Sequence, residues 1–159
     1  MPNVEQREEI RVIRLAGTAD IPRIQILMKS VAGFWNDGWR PDVLERVLHS
    51  SETIALVHDE DDTIDGFVCG HDVGFRAYLS ELVVSPASQG RGVGSRLVSE
   101  LERHLAERGC SVLIADVWRD AERFYRSRGW TSPAVVLLRK RLEAPAASHA
   151  PAPAAQPSP

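Results

Sequence analysis

The chain has 159 residues and a formal net charge of -3, so it lacks the basic excess that typically accompanies nucleic-acid binding. No apolar run approaches the about 18 residues of a membrane span, and the charged start "MPNVEQREEIRV" lacks the apolar segment of a signal peptide. We therefore expect a cytoplasmic protein whose partners include neither nucleic acid nor a membrane. Residues 144–159 are rich in Ala and Pro without apolar periodicity, which predicts a disordered tail after a single domain at 1–143.

The apolar patterns predict elements in the order β-α-α-β-β-β-α-β-α-β. A strand at 10–16 precedes a helix at 18–33 and a short helix at 42–50. Strands at 53–57 and 64–70 flank an acidic turn, which predicts a hairpin, and a third strand follows at 76–85. The remaining elements are an amphipathic helix at 93–109, a strand at 111–118, a short helix at 120–129 and a last strand at 132–142. Because hairpins and helical crossovers alternate, we expect an α/β layered fold with a mixed, mostly antiparallel sheet flanked by helices.

Cysteine and histidine give no sign of a metal site. Cys69 and Cys110 each lie in or beside an apolar run, so we expect buried thiols. The five histidines are scattered singly, without the spacing of metal ligands. We therefore predict no metal cofactor.

The stretch "ELVVSPASQGRGVGSRLVSEL" at 81–101 places Gly90, Gly92 and Gly94 between a predicted strand and a predicted helix. The N–H groups that open a helix have no partner within it and carry partial positive charge. Glycine lets a large anion approach this backbone and tolerates positive φ. The stretch therefore predicts a phosphate-binding loop, to which Arg91 and Arg96 add charged donors.

Two common phosphate-binding signatures do not fit this stretch. A P-loop needs a lysine after its last glycine, and no lysine follows here. The dinucleotide fingerprint needs a third glycine where Ser95 stands, and its parallel sheet conflicts with the hairpin predicted at 53–70.

The loop instead resembles the coenzyme A site of the GNAT family, the GCN5-related N-acetyltransferases. The family motif [QR]-x-x-G-x-[GA] matches Gln89-Gly90-Arg91-Gly92-Val93-Gly94. A second family motif, A-x-x-x-Y-x-x-x-G-[FW], matches Ala121, Tyr125, Gly129 and Trp130. The resemblance covers roughly residues 10–142 and implies a splayed central pair of strands.

The resemblance also implies where acetyl-CoA binds. The pantetheine arm would lie along the strand that ends in Leu82, Val83 and Val84. The pyrophosphate would be held by the loop made of Gln89, Gly90, Arg91, Gly92, Val93, Gly94 and Ser95. The acceptor amine would attack the thioester directly, without a metal or a covalent intermediate.

The same resemblance implies Tyr125 as the general acid for the departing thiolate; the alternative is an aromatic side chain that only packs beside Phe124 on an amphipathic helix. Our candidate for the base is Glu81, whose side chain leaves the strand on the opposite face from Leu82. An ordinary surface glutamate is the alternative, and Asp116 is a rival base. Trp118 departs from the family, because many members carry an asparagine at that position.

The acceptor site should be lined by the first two helices and the loop "FWNDGWRP". Trp35 and Trp39 would offer aromatic faces, and Asp37 would add negative charge, which favours a small cationic amine over a peptide amine. Dimers are common among such proteins, so a homodimer is possible. The alternative function is a non-catalytic sensor that binds acetyl-CoA or another acyl-CoA on the same fold.

Overall fold

The structure, a computed structural model, describes residues 13–143. The predicted tail at 144–159 and the first residues of the predicted strand at 10–16 lie outside this range. The chain divides after Ala121 into two compact units. The prediction of a single domain at 1–143 stays a prediction. Among the described residues, no helix is long and apolar enough to cross a bilayer.

The first unit is built on a five-stranded sheet whose strands follow the chain order. Its strands are β1 (Ile13–Leu15), β2 (Thr53–Glu60), β3 (Thr63–Asp72), β4 (Ala77–Val84) and β5 (Leu113–Ile114). The pairs from β1 to β4 are antiparallel, and β4 pairs with β5 in parallel. The predicted mixed, mostly antiparallel sheet is confirmed.

Helices cover both faces of the sheet. Helix α1 (Ile21–Ser30) and helix α2 (Val43–His49) pack on one face, where they share a core with Phe67 and Val83. Helix α3 (Val93–Glu107) buries an apolar stripe with the spacing expected of an amphipathic helix: Val93, Leu97, Val98, Leu101 and Leu105. This stripe packs on β2 and β3. The helix comes directly after β4 and the glycine loop in the chain.

Two glycines in β3 let α3 lie against the sheet. A Cβ on Gly66 would stand 2.7 Å from Val93 Cγ1, and a Cβ on Gly70 would stand 2.8 Å from Leu101 Cδ1. Real Cβ atoms do not approach so closely, because cores are packed to van der Waals contact. The position of the glycine loop thus depends on Gly66, against which the first turn of α3 packs.

The second unit contains helix α4 (Glu122–Arg126). One strand prediction in each unit needs correction. The structure assigns no strand to 132–142, where the side chains from Val135 to Leu138 are 73–85% exposed. Apolar alternation alone does not make a strand, because a strand needs a partner for its backbone groups. In the first unit, the strand predicted at 111–118 is reduced to Leu113–Ile114, the two residues that pair with β4.

The two cysteines differ from each other. Cys69 is a buried free thiol in the core, as predicted. Cys110 is free but only partly buried, so the prediction of a second core thiol was wrong. It lies after the end of α3, where the chain returns to the surface.

Candidate functional site

The glycine loop opens α3 with left-handed backbone at two glycines. Gly90 has a φ of 76°, and Gly92, which caps the helix, has a φ of 82°. Side chains disfavour this region, whereas glycine occupies it freely. A Cβ at either position would meet no atom within 4 Å, so the space beyond the loop is open. No side chain caps the helix, and a helix start has N–H groups without partners inside the helix, so this loop offers backbone donors to an anion.

The other loop residues play different parts. The Gln89 side-chain amide donates to the Val84 carbonyl at 3.1 Å, which ties the loop to the end of β4. Val93 is buried in the core, so only its backbone is available to a ligand. Arg91 is exposed and lies 3.9 Å from Glu60, a distance at which an exposed ion pair contributes little. The charge of Arg91 therefore remains available to a bound anion.

An opening lies along β4 beside the loop. Strands β4 and β5 pair only at Ala77–Leu113 and Tyr78–Ile114. The later residues Leu82, Val83 and Val84 pair with β3 on the other edge and have no β5 partner. Unpaired edges expose backbone donors and acceptors that a ligand can use. The predicted splay between these two strands is therefore present.

A β-bulge turns two neighbouring side chains of β4 toward the same cavity. Cys69 pairs with Glu81 and Gly70 pairs with Leu79, which leaves Ser80 as the extra residue. As a result, both Ser80 and Glu81 line a cavity of about 100 Å³, although strand neighbours ordinarily point to opposite faces. The other lining residues are Met28, Trp39, Val43, Leu44, Val47, Phe67 and Cys69.

Glu81 is the acidic residue of this cavity. Burial, with a smaller contribution from the negative charge of Asp116, raises its pKa to about 7. Asp116 is exposed and accepts a hydrogen bond from the Tyr78 hydroxyl. A carboxyl with a pKa near 7 exchanges protons readily at neutral pH, which suits a general base. Asp116 lies outside the cavity lining and acts on Glu81 through its charge.

A polar network behind the cavity was not predicted from the sequence. His71 Nε2 lies 2.8 Å from Ser80 Oγ, and His71 Nδ1 lies 2.9 Å from Thr53 Oγ1. Burial lowers the pKa of His71, which keeps the ring neutral. Burial also raises the pKa of Cys69 to about 12, so its thiol stays protonated and is a poor nucleophile. The network itself could not be read from the sequence, because strand pairing brings Thr53 and Ser80 to His71 from distant positions in the chain.

The tryptophan loop contributes one of its predicted residues to the cavity. Trp39 lines the cavity and meets Trp35 edge to face, with 5.4 Å between ring centres. Trp35 instead has Lys29 Nζ 5.0 Å from its ring centre, so its cation-binding face is already in use. Asp37 is exposed and is absent from the cavity lining. The structure thus brings Trp39 and Glu81 together without Trp35 or Asp37.

Tyr125 lies in the second unit, on α4. It is 7% exposed and makes edge-to-face contacts with Phe124 and Trp130. Burial raises its pKa to about 12, so the phenol is protonated at neutral pH. The phenol therefore carries a proton, and its ring packs beside Phe124 on the same helix.

Comparison with known proteins identifies the family. The model of the acetyltransferase (GNAT) family matches residues 22–130, more than half of the chain. An acetyltransferase of Yersinia pestis (strain Pestoides F) is 34% identical over 112 residues, covering 68% of this chain and 77% of the relative.

Solved structures share the fold. A transcriptional regulator from Bacillus halodurans C-125 superposes with a TM-score of 0.70 and 18% identity, covering 82% of this chain and 98% of its own. The structure of AAC(6')-Iy with a CoA bisubstrate analog gives a TM-score of 0.69 and 19% identity, covering 82% of this chain and 97% of that chain. At these identities the likeness shows the fold alone. The family match, which spans the glycine loop, the bulged strand and the cavity, assigns the chain to the GNAT family, so it is an acetyltransferase that uses acetyl-CoA.

Proposed function

We propose that this acetyltransferase moves the acetyl group of acetyl-CoA directly to a primary amine bound in the cavity, with Glu81 as the general base. The observation that carries this proposal is a carboxyl with a raised pKa in a mostly apolar cavity, on the strand beside the opening. An ammonium has an ordinary pKa of about 10, so a base is needed before nitrogen can attack. The reaction as proposed requires no metal.

The cofactor is proposed to lie along the opening and end at the glycine loop. The pantetheine arm would hydrogen bond to the edge of β4 at Leu82, Val83 and Val84, where β5 provides no partner. The pyrophosphate would bind the backbone from Gly90 to Ser95, with Arg91 adding charge. A backbone N–H near Leu82 or Val83 would stabilise the oxyanion that forms when the amine attacks the thioester carbonyl.

Tyr125 is proposed as the acid that accompanies departure of the thiolate. Its burial keeps it protonated, as an acid must be, but a pKa of about 12 makes it weaker than a free tyrosine. A coenzyme A thiolate, whose conjugate acid has a pKa near 8.5, cannot fully deprotonate such a phenol. We therefore infer that Tyr125 hydrogen bonds to the sulfur as the C–S bond breaks.

The cavity favours an amine carried on a small apolar group. Its walls are aliphatic and aromatic apart from Ser80, Cys69 and Glu81. Burying a polyhydroxylated body against such walls would leave hydroxyl groups unpaired, which costs free energy. Solved neighbours of similar fold include an aminoglycoside acetyltransferase in complex with sisomicin. An aminoglycoside is therefore the comparison substrate, and a peptide with a free amino end is a second one.

An acceptor panel tests this proposal. Alkyl and arylalkyl amines, an aminoglycoside and a short peptide are supplied with acetyl-CoA, and thiol release is followed. We expect kcat/KM to be highest for the amines with apolar groups and to fall in the Phe67→Ser variant. Turnover of the aminoglycoside alone would contradict the acceptor class but would support the reaction. Binding of acetyl-CoA without turnover on any amine would favour the sensor alternative for this chain.

A matched pair of variants tests the loop. Aspartate and asparagine have nearly the same size and both tolerate left-handed backbone better than most residues. At Gly92 they differ only in charge beside the proposed pyrophosphate. A carboxylate about 4 Å from a phosphate charge costs about 1 to 4 kcal/mol, depending on the intervening solvent. We expect Gly92→Asp to bind acetyl-CoA at least about fivefold more weakly than Gly92→Asn. Equal dissociation constants would contradict the loop assignment.

A homodimer in the cytoplasm is our proposal for the assembly and its location. The run from Val135 to Leu138 exposes four consecutive apolar side chains, which is unusual for a surface without a partner. Two free cysteines and the use of acetyl-CoA fit a reducing compartment. Light scattering should give twice the chain mass, and Val136→Glu should reduce it, whereas Ile26→Glu on α1 should not. A monomeric parent protein would contradict the dimer.

A further inference from the structure

A second buried polar cluster lies outside the acceptor cavity. It consists of His58, Asp65 and Ser88, which are 2%, 7% and 5% exposed. His58 Nδ1 lies 2.5 Å from one oxygen of Asp65, and the Ser88 hydroxyl donates to the other oxygen at 2.5 Å. Buried polar groups persist where their hydrogen bonds are satisfied, so this cluster has a structural or functional reason to exist.

The direction of these hydrogen bonds follows from Arg96. Its Nη2 lies 3.3 Å from His58 Nε2, and a guanidinium only donates. His58 therefore accepts at Nε2 and carries its proton on Nδ1, which donates to Asp65. The chain of hydrogen bonds runs from Arg96 through His58 to Asp65, and Ser88 joins it at the far oxygen.

This arrangement argues against a metal at the same place. The ligand atoms of His58, Glu60 and Asp65 lie within 4.8 Å of one another, close enough to suggest a cation site. Both nitrogens of His58 and both oxygens of Asp65 already have hydrogen-bond partners. A cation would have to displace the proton on Nδ1 and break the bond to Asp65.

The cluster is attached to the glycine loop at both of its ends. Ser88 closes the 3-10 turn Pro86–Ser88, directly before the loop, and Arg96 lies in the first turn of α3, directly after it. The backbone carbonyl of Asp65 also accepts the N–H of Ser85 at 2.8 Å. His58 lies in β2 and Asp65 lies in β3, so two strands of the sheet hold the glycine loop in place through these hydrogen bonds.

We propose that His58 is a positioning residue of the cofactor site: through Arg96 on one side and Asp65–Ser88 on the other, it fixes the glycine loop and the Arg96 guanidinium to bind a phosphate group of coenzyme A. The inference rests on the proposed placement of the pyrophosphate at this loop. The Arg96 side chain is exposed, so its other N–H donors are accessible to a phosphate. His58 itself is buried, so its proposed effect on the cofactor passes through Arg96 and through Asp65–Ser88.

A double-mutant cycle tests whether His58 acts through Arg96. His58→Asn keeps a donor for Asp65 and removes the acceptor for Arg96, and Arg96→Gln removes the charge. We expect His58→Asn to weaken acetyl-CoA binding about tenfold in calorimetry, and less than about twofold when Arg96→Gln is already present. Equal effects in both backgrounds, or no effect of His58→Asn in the parent protein, would overturn the inference.

A cofactor fragment separates positioning from general structural damage. Acetylpantetheine carries the thioester and the arm but no phosphate, so its kcat/KM as acetyl donor should stay within about twofold in His58→Asn. An equal loss with both donors would overturn the inference. If His58→Asn does not fold, Ser88→Ala gives the same test from the loop side. We expect a larger dissociation constant for acetyl-CoA in this variant, and an unchanged dissociation constant would overturn the inference. A parent protein that fails to bind acetyl-CoA would refute the proposed function instead.

Discussion

Replacement of Glu81 by glutamine tests the central chemical step. With a pKa of about 7, Glu81 is about half ionised at pH 7 and about one-thirtieth ionised at pH 5.5. If the carboxylate is the base, kcat/KM should fall about 15-fold over this interval, whereas a carboxyl at 4.5 would lose only about a tenth of it. Glu81→Gln should lower kcat/KM by about 100-fold or more and abolish the acidic limb of the profile.

The assay follows thiol release with an alkylamine acceptor, which stays protonated from pH 5 to pH 8.5 and so contributes no limb of its own. Glu45→Gln on α2 is a matched control, because Glu45 is exposed and absent from the cavity lining. Its profile should match that of the parent protein. A Glu81→Gln variant with more than half of the parent activity, or a parent profile with its limb near 4.5, would refute the assignment of the base.

The same residue should destabilise the fold at neutral pH. Glu81 has its pKa raised in the folded state, so the unfolded chain loses this proton near pH 4.5 and the folded chain only near pH 7. Between these values the folded state binds more protons, and stability therefore falls as the pH rises. Above pH 7, Glu81→Gln should unfold at an equal or higher temperature than the parent protein. A lower temperature would mean that the carboxylate is stabilised by contacts that the glutamine lacks.

Three further predictions concern Asp116, Gly66 and Asp20. Asp116→Asn removes the charge that helps to raise the pKa of Glu81, so the acidic limb of kcat/KM should move to lower pH but stay above 4.5; an unmoved limb would contradict the coupling. Gly66→Ala should lower the free energy of unfolding in urea by about 1–3 kcal/mol and weaken acetyl-CoA binding, because its Cβ would press on Val93. Gly17→Ala is the control: a Cβ there has its nearest atom at 3.9 Å, so acetyl-CoA binding should not change. Asp20 is buried and hydrogen bonded to Arg14, so its pKa lies well below its usual range, and its contribution to stability is lost as the pH falls below about 4. Asp20→Asn should lower the free energy of unfolding by about 2 kcal/mol at pH 7 and reduce its dependence on pH below about 4. An unchanged dependence on pH would contradict this prediction.

Local sequence signals predicted the parts of the molecule that local chemistry determines. The apolar stripe of α3 follows from the 3.6-residue period. The left-handed backbone at Gly90 and Gly92 follows from the freedom of glycine to adopt a positive φ. The mixed sheet follows from the alternation of hairpins and crossovers. Such features depend on residues that are close together in the chain, so a single sequence contains the information.

Features that depend on partners distant in the chain were missed or misplaced. Residues 132–142 have the apolar pattern of a strand, but a strand exists only where another backbone meets it. The bulge at Ser80 arises from the register between β3 and β4, and no local propensity of the sequence specifies it. His58 looked like one of several isolated histidines, because Arg96 and Asp65 reach it only after the sheet and α3 have packed.

The bulge also explains why the sequence predicted Glu81 as a site residue but did not predict that Ser80 lies beside it. Strand alternation correctly separated Glu81 from Leu82, but it would also have placed Ser80 on the face away from the cavity. One extra residue in β4 shifts the phase, so that Ser80 and Glu81 line the cavity together while Leu79 still pairs with Gly70 under α3. A hydroxyl and a carboxyl thereby reach one small apolar cavity from consecutive positions. Deleting Ser80 would restore regular alternation, with Leu79 still opposite Gly70 and Glu81 still opposite Cys69. The deletion would therefore remove the hydroxyl from the cavity and leave the carboxyl in place, which separates the part of Ser80 in the reaction from that of Glu81.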